Sequence, residues 1–205
     1  MLLKEKIAEQ LPEFRERVST LVKEHGDEVV DQVTIKQIYG GMRGAKVLVT
    51  DISYVDPNEG IRYRGYTIPE LMKQLPKAEG SEFPLAGGLY FLLLTGEIPT
   101  DDQAQDVEMA WKSRGTIPPY VYEAIKAMPS ESHPMTMFSA AILSMQNESV
   151  FARQYQDGML RADYWEATLE DSLNLTAKLP GIAAYIYNLK YDSGGYIAPD
   201  FELDW

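Results

Sequence analysis

The sequence contains no cysteine and only two histidines, and these absences limit its chemistry from the outset. Without cysteine there is no disulfide framework, no thiolate metal site and no cysteine nucleophile. No apolar run approaches the roughly 20 residues that are needed to span a bilayer. Basic residues are outnumbered, and the formal net charge is −12. This charge argues against nucleic acid and anionic membranes as partners, because both are bound through patches of Lys and Arg.

The remaining composition is that of an ordinary folded protein. The 205 residues are 45% apolar and 24% charged, which excludes a disordered chain and provides enough material for one well-packed domain. No internal repeat, low-complexity tract or clear linker interrupts the sequence. We therefore expect a single unit.

Apolar residues at helical spacing, separated by Pro and Gly, predict a mainly α fold. In the first helix, Pro12 fits the start, Gly26 fits the end, and one apolar face is expected to be buried. That face consists of Leu11, Phe14, Val18, Leu21 and Val22. Further helices are predicted over residues 85–95, 100–114, 118–128, 135–147, 163–178 and 181–189. The last two form one long helix that is interrupted or kinked near Pro180.

Residues 47–66 form the one predicted β element. A β-branched stretch over residues 47–55 is followed by the turn residues 56–60 and a second alternating stretch, which together predict a small β-hairpin. Thr67 and Glu70 then fit a capping box at the start of the next helix.

No constellation of catalytic residues is visible in the sequence. The motifs HExxH, CxxC and GxxxxGK[ST] are all absent. His25 fits the last turn of the first helix, where the helix dipole favours a cation. His133 precedes Pro134 and fits a helix entry. We therefore predict no catalytic residue and no metal site in this chain.

The arginines are the candidates for binding an anion. Arg43 lies among glycines in a flexible loop that can present a guanidinium group or backbone amides to phosphate oxygens. Arg62 and Arg64 alternate along a strand and so share a face. Arg153 and Arg161 lie between two predicted helices. For each of them, an ordinary surface ion pair is the alternative interpretation.

The predicted helices at residues 135–147 and 163–189 carry apolar residues on more than one face. Such a helix must be covered on more than one side, by its own chain or by a partner. From the pattern alone, an interior helix and a subunit interface fit equally well.

Several short segments together carry a family resemblance. They are residues 39–44 (YGGMRG), 56–65 (DPNEGIRYRG), 95–100 (TGEIPT), 133–135 (HPM), 148–149 (ES), 151–153 (FAR) and 164–166 (YWE). Each is weak alone, but the ordered set resembles the N-terminal part of the large domain of citrate synthase. The resemblance is to the mitochondrial-like, eukaryotic type and covers nearly the whole chain.

The resemblance implies a function and several roles. Such enzymes condense acetyl-CoA with oxaloacetate and hydrolyse citryl-CoA to citrate and CoA; acetyl-CoA is a substrate, and no cofactor is implied. Arg43 matches an arginine that contacts the CoA phosphates, and Arg161 matches one that reaches CoA on the other subunit of a homodimer. The helices at 135–147 and 163–189 match the dimer interface, which decides between the two interpretations above.

The resemblance also implies what residues 1–205 lack. The family's catalytic histidines and aspartate, and its small domain, lie beyond the position that matches Trp205, so this chain alone is expected to be inactive. A non-catalytic dimerisation module and a related methylcitrate synthase are the alternatives. The sequence pI near 4.6, the initial Met1 and the lack of a transit-like start favour a bacterial cytoplasm, with the mitochondrial matrix as the family's other location.

Overall fold

The computed structural model describes residues 1–46, 48–191, 198 and 200. Val47, where the predicted hairpin begins, and Trp205 lie outside the described residues. The α-helices of the described part are α1 (Leu2–His25), α2 (Ile35–Tyr39), α3 (Ile68–Gln74), α4 (Ala86–Thr95), α5 (Asp101–Lys112), α6 (Pro119–Lys126), α7 (Pro134–Ser144), α8 (Val150–Gln156), α9 (Tyr164–Thr176) and α10 (Leu179–Tyr191). Short 3₁₀ turns cover Met145–Glu148 and Arg161–Asp163. None of the helices described is both long and apolar enough to cross a membrane.

The β element is a three-stranded antiparallel sheet and not a simple hairpin. Its strands are β1 (Ser53–Asp56), β2 (Gly60–Tyr63) and β3 (Tyr66–Thr67), in the order β1-β2-β3. Residues 48–52 are not in a strand, so the predicted first strand began too early. The second turn was not predicted. Arg64 and Gly65 have φ of 48° and 87°, the two left-handed residues that a type I′ hairpin turn requires.

Side-chain caps begin several of the helices. Thr67 and Glu70 form the predicted capping box at α3, and Thr100 with Gln103 forms another at α5. The sequence analysis missed α2 and α8. They have five and seven residues, too few for a clear apolar period.

The first helix differs from its prediction in two ways. It begins at Leu2 and runs through Pro12, which removes one backbone hydrogen bond without ending the helix. The face expected to be buried is largely exposed: Phe14, Val18 and Leu21 are 52%, 42% and 60% accessible. The apolar packing of α1 in the described structure is confined to its first turns, where Leu3 is fully buried.

Three apolar clusters hold the helices together. The first joins α1, α4, α5 and α9 through residues that include Leu3, Phe91, Trp111 and Leu173. The second joins α6, α7 and α10, and the third packs α3 against α4. The helix predicted over residues 85–95 is α4, which ends at Thr95 and is followed by Gly96 in the left-handed conformation (φ 79°). The predicted interruption near Pro180 is confirmed, because α9 and α10 are separate helices.

Candidate functional site

The loop of residues 40–44 is fastened to α2 by one glutamine. Gln37 Oε1 accepts from the backbone N–H of Thr34 at 2.9 Å and closes the capping box of α2. Its Nε2 donates to the carbonyl of Arg43 at 3.5 Å, and its own carbonyl accepts from Met42 N at 2.7 Å. A further turn joins Ala45 N to Met42 O at 3.1 Å. The glutamine therefore couples the loop to the start of its helix.

The backbone of this loop explains its glycines. Gly41, Met42 and Gly44 have φ of 74°, 60° and 75°. Glycine adopts this conformation without steric cost, whereas Met42 is an uncommon exception. The turns leave Arg43 exposed.

A second contact closes the segment that contains the loop. Asp31 accepts hydrogen bonds from Lys46 N at 3.0 Å and from Gln32 N at 2.7 Å. The bond from Lys46, and then that from Gln32, hold the pKa of Asp31 below its usual range. The carboxylate thereby ties together the two ends of residues 31–46.

Arg161 lies in a different turn, which is held by α1. It begins the 3₁₀ turn Arg161–Asp163, and Arg15 Nη2 donates to the carbonyl of Ala162 at 2.7 Å. The sequence analysis did not identify Arg15 as a positioning residue, because its partner lies 147 residues away in the chain. No hydrogen bond or ion pair within the described residues links the Arg161 turn to the Arg43 loop.

Two of the candidate arginines serve the fold. Arg62 pairs with Glu59 Oε2 at 2.9 Å and donates to Gly65 O at 3.1 Å. Arg64 is 16% accessible, donates from Nε and Nη2 to the carbonyl of Leu93 at 3.0 and 2.7 Å, and pairs with Asp51 at 2.9 Å. For both residues the structure supports the ion-pair interpretation.

Arg43 and Arg161 are different. Both are exposed, and neither guanidinium group has a hydrogen bond or an ion pair with any residue that the structure describes. Every other arginine has a partner, and these partners are the carbonyl of Ala162 for Arg15, the ring of Phe14 for Arg17, Glu59 for Arg62, Leu93 for Arg64, Glu170 for Arg114 and the carbonyl of Asn147 for Arg153.

Both histidines lie at helix ends, as predicted. His25 ends α1, and its Nδ1 is 2.8 Å from Glu28 Oε1. His133 caps α7, where its Nδ1 accepts from Met135 N at 3.2 Å. The described part of the chain holds no group of three or more His, Asp and Glu side chains that fits a metal ion.

Helices α7 and α10 each bury one face and expose an apolar one. On α7, Met137 and Ala141 are buried, whereas Met135 and Leu143 are 60% and 74% accessible. The exposed residues of α10 are Pro180, Ala183, Ala184, Tyr187 and Tyr191. The exposed faces of α7 and α10 therefore carry small or apolar side chains.

A family model described as "Citrate synthase, C-terminal domain" matches residues 41–205. This chain belongs to the citrate synthase family. The resemblance found in the ordered short segments is thereby confirmed. Its finer placement, as the N-terminal part of the large domain with the small domain lying beyond it, stays a prediction.

Curated citrate synthases match almost the whole chain. The mitochondrial citrate synthase of Aspergillus niger is 50% identical over 192 residues, which are 94% of this chain and 40% of that protein. Those of Neurospora crassa and Kajikia audax are 47% and 46% identical, and each match covers 99% of this chain. The chain spans 40%, 43% and 44% of the length of these relatives.

Solved citrate synthases share the fold. The enzyme from Pyrobaculum aerophilum has a TM-score of 0.66 and 24% identity, with 80% of this chain and 39% of that chain covered. The Thermotoga maritima enzyme has a TM-score of 0.58, 17% identity, and coverage of 83% and 39%. At such identities the comparison shows the fold alone, and it confirms the prediction of a mainly α citrate-synthase-like architecture.

The expected bacterial cytoplasm is wrong. The curated relatives at 46% to 50% identity are all named as mitochondrial. The expectation relied on the acidic pI and the character of the first residues. A pI describes the charge of the protein and contains no targeting information.

Proposed function

We propose that this chain forms the part of a citrate synthase that binds the phosphates of coenzyme A and dimerises. The whole protein would condense acetyl-CoA with oxaloacetate and release citrate and CoA. Acetyl-CoA is then a substrate, and no separate cofactor is needed. Because the relatives are more than twice as long as this chain, we propose the activity for the whole protein.

The unengaged guanidinium groups of Arg43 and Arg161 carry the proposal. CoA bears phosphate groups, which arginine binds through short, charge-assisted hydrogen bonds. Arg62 or Arg64 would have to break an existing ion pair to bind a phosphate. Arg43 and Arg161 need break none within the described residues, so their binding free energy is not reduced by that cost.

We propose that Arg161 acts across a dimer. Within the described residues it has no hydrogen bond or ion pair with the Arg43 loop, which is consistent with its reaching CoA on the partner subunit. The exposed apolar faces of α7 and α10 support an interface there, since large apolar patches that remain uncovered mark interaction sites.

We propose that the residues that transfer protons in the reaction lie outside these 205 residues. Proton transfer needs a base that is free to approach the substrate. His133 caps α7 through its Nδ1, and His25 lies at the end of α1 beside Glu28, so we assign both histidines to helix ends and not to proton transfer. The names of the curated relatives support the mitochondrial matrix as the compartment.

Titration of CoA into the 205-residue chain and its variants tests the phosphate site. Arg43→Ala should weaken binding by about fivefold, which corresponds to about 1 kcal/mol for an exposed charge pair. Arg17→Ala is the matched control, because Arg17 is exposed, contacts an aromatic ring and has no proposed role. Equal affinities for the two variants would contradict the proposed role of Arg43. Arg161→Ala should weaken binding only under conditions where the chain is dimeric.

Sedimentation of two methionine variants tests the interface. Met135 on α7 and Met109 on α5 are 60% and 64% accessible, so a glutamate at either position is tolerated by the monomer. Met135→Glu should dissociate the dimer, because it buries a charge without a partner. Met109→Glu should leave it intact. A dimer that survives Met135→Glu would count against α7 as the interface.

A further inference from the structure

A cavity of about 170 Å³ lies between the 3₁₀ turn Met145–Glu148 and α9. Neither Arg43 nor Arg161 lines it. It is open to solvent on one side, and its walls are mainly apolar. Its lining residues include Ile142, Met145, Gln146, Glu148, Leu175 and Lys178. Its walls come mainly from the segments 135–147 and 163–189, but they do not include the exposed residues of α7 and α10 that support the proposed dimer interface.

Lys178 is the only amine in this lining, and it is half-buried. Its Nζ donates to the carbonyl of Asn174 at 2.8 Å. No carboxylate among the described residues lies within ion-pair distance of it. Lys6 and Lys126, by contrast, pair with Glu97 and Glu123 at 3.0 Å each.

The charges around the cavity leave the amine without a close counter-ion. Asp171 is occupied by hydrogen bonds from the start of α8, among them those from Val150 N and Phe151 N at 2.6 and 3.1 Å. Glu148 accepts from the hydroxyl of Tyr120 at 3.1 Å. Arg114, which is paired with Glu170, adds a further positive charge that acts on Lys178.

These surroundings favour the neutral form of the amine. Burial lowers the pKa of Lys178 below its usual value, Glu148 opposes this effect, and Arg114 reinforces it. The pKa of the ion-paired Lys126 is raised, first by its hydrogen bond to Glu123. At a given pH near neutrality, a larger fraction of Lys178 is therefore unprotonated and nucleophilic.

We propose that Lys178 is a site of covalent acylation, at which the amine takes a short acyl group from a thioester in this cavity. The neutral Nζ attacks the thioester carbonyl, an N–C bond forms and the C–S bond breaks. The thiolate leaves and takes up the proton that the nitrogen loses, so that an amide and a free thiol result. The apolar side chains of Ile142, Met145 and Leu175 provide walls for the acyl chain, in a cavity comparable to the roughly 150 Å³ sites that hold benzene.

The test uses the acetyl thioester of a small neutral thiol, so that it does not depend on CoA binding and stays independent of the function proposed above. The full chain is incubated with the thioester near pH 7.5, and acetylation is measured at each lysine by peptide mass spectrometry. Lys178 should be acetylated at least about threefold faster than Lys126, as expected for a desolvated amine. Glu148→Gln should raise the rate at Lys178 further, because it removes the charge that stabilises the ammonium form.

Substitutions at two neighbouring residues test whether access to the cavity controls the rate of acetylation at Lys178. Gln146 and Asn147 are both exposed, but only Gln146 lines the cavity. Gln146→Trp should slow acetylation of Lys178 severalfold, whereas Asn147→Trp should not. Equal rates at Lys178 and Lys126 in the unaltered chain would overturn the proposal, and so would equal rates at Lys178 in the two tryptophan variants.

Discussion

Replacing Gly87 by alanine tests the packing of α4 against α5, two helices that contribute to the same apolar cluster. A Cβ at this position would lie 2.8 Å from the carbonyl oxygen of Ala104, 3.0 Å from Glu108 Oε1 and 3.1 Å from Val107 Cβ. The first of these atoms belongs to the backbone of α5 and cannot rotate away. Gly87 N also donates to the buried Glu108 carboxylate at 2.6 Å, so that a shift of α4 would strain this bond as well.

The expected change in the free energy of unfolding is the sum of two opposing effects. Overpacking a core costs about 1–3 kcal/mol. Alanine is favoured over glycine inside a helix by roughly 0.5–1 kcal/mol, which offsets part of that cost. We expect Gly87→Ala to lower the free energy of unfolding by about 1–2 kcal/mol, or the melting temperature by about 2–8 °C for a chain of this size.

The adjacent glycine supplies the control. Gly88 is also buried in α4, but a Cβ there would meet its nearest atoms at 3.6 Å, which is ordinary contact. Gly88→Ala should therefore leave stability unchanged or raise it by up to about 1 kcal/mol. Urea unfolding followed by circular dichroism compares the two variants. Equal midpoints would refute the close approach of the helices at Gly87.

The remaining predictions concern single polar contacts. Arg64→Ala should destabilise the chain by about 1–3 kcal/mol in thermal unfolding, because the carbonyl of Leu93 loses a charged donor; an unchanged melting temperature would contradict this. Backbone hydrogen bonds from Asn58 and Glu59 hold the pKa of Asp56 below its usual range. The turn should therefore keep its protection in amide exchange near neutral pH and lose it as the pH falls through the lowered pKa, and Asp56→Asn should remove this dependence. A pH-independent turn in the unaltered chain would refute the assignment.

Local patterns predicted the parts of the fold that depend on neighbours in sequence. The capping box at Thr67 and the helix start at Thr100 follow from residues within one turn of each helix start. The apolar period of α1 identified an apolar face correctly, but a period contains no information on what covers that face. Phe14 and Val18 are therefore exposed in the described structure.

The candidate site was only partly predictable, for a similar reason. From the residue pattern alone, Arg43 and Arg64 were both candidates for binding an anion, with a surface ion pair as the alternative for each. The structure separates them through contacts between distant segments, because Arg64 binds the carbonyl of Leu93 whereas Arg43 has no such partner within the described residues. Likewise, no sequence spacing relates Arg15 to Ala162 or Lys178 to the cavity beside it.

The central claim is that this chain holds the CoA-binding part of a citrate synthase without its catalytic centre. The release of free CoA from acetyl-CoA, measured with and without oxaloacetate on the 205-residue chain, tests this claim most directly. We predict no oxaloacetate-dependent release under conditions where the chain binds CoA. Turnover at rates of about 1 s⁻¹ or more would contradict it, since an active enzyme reaches such rates.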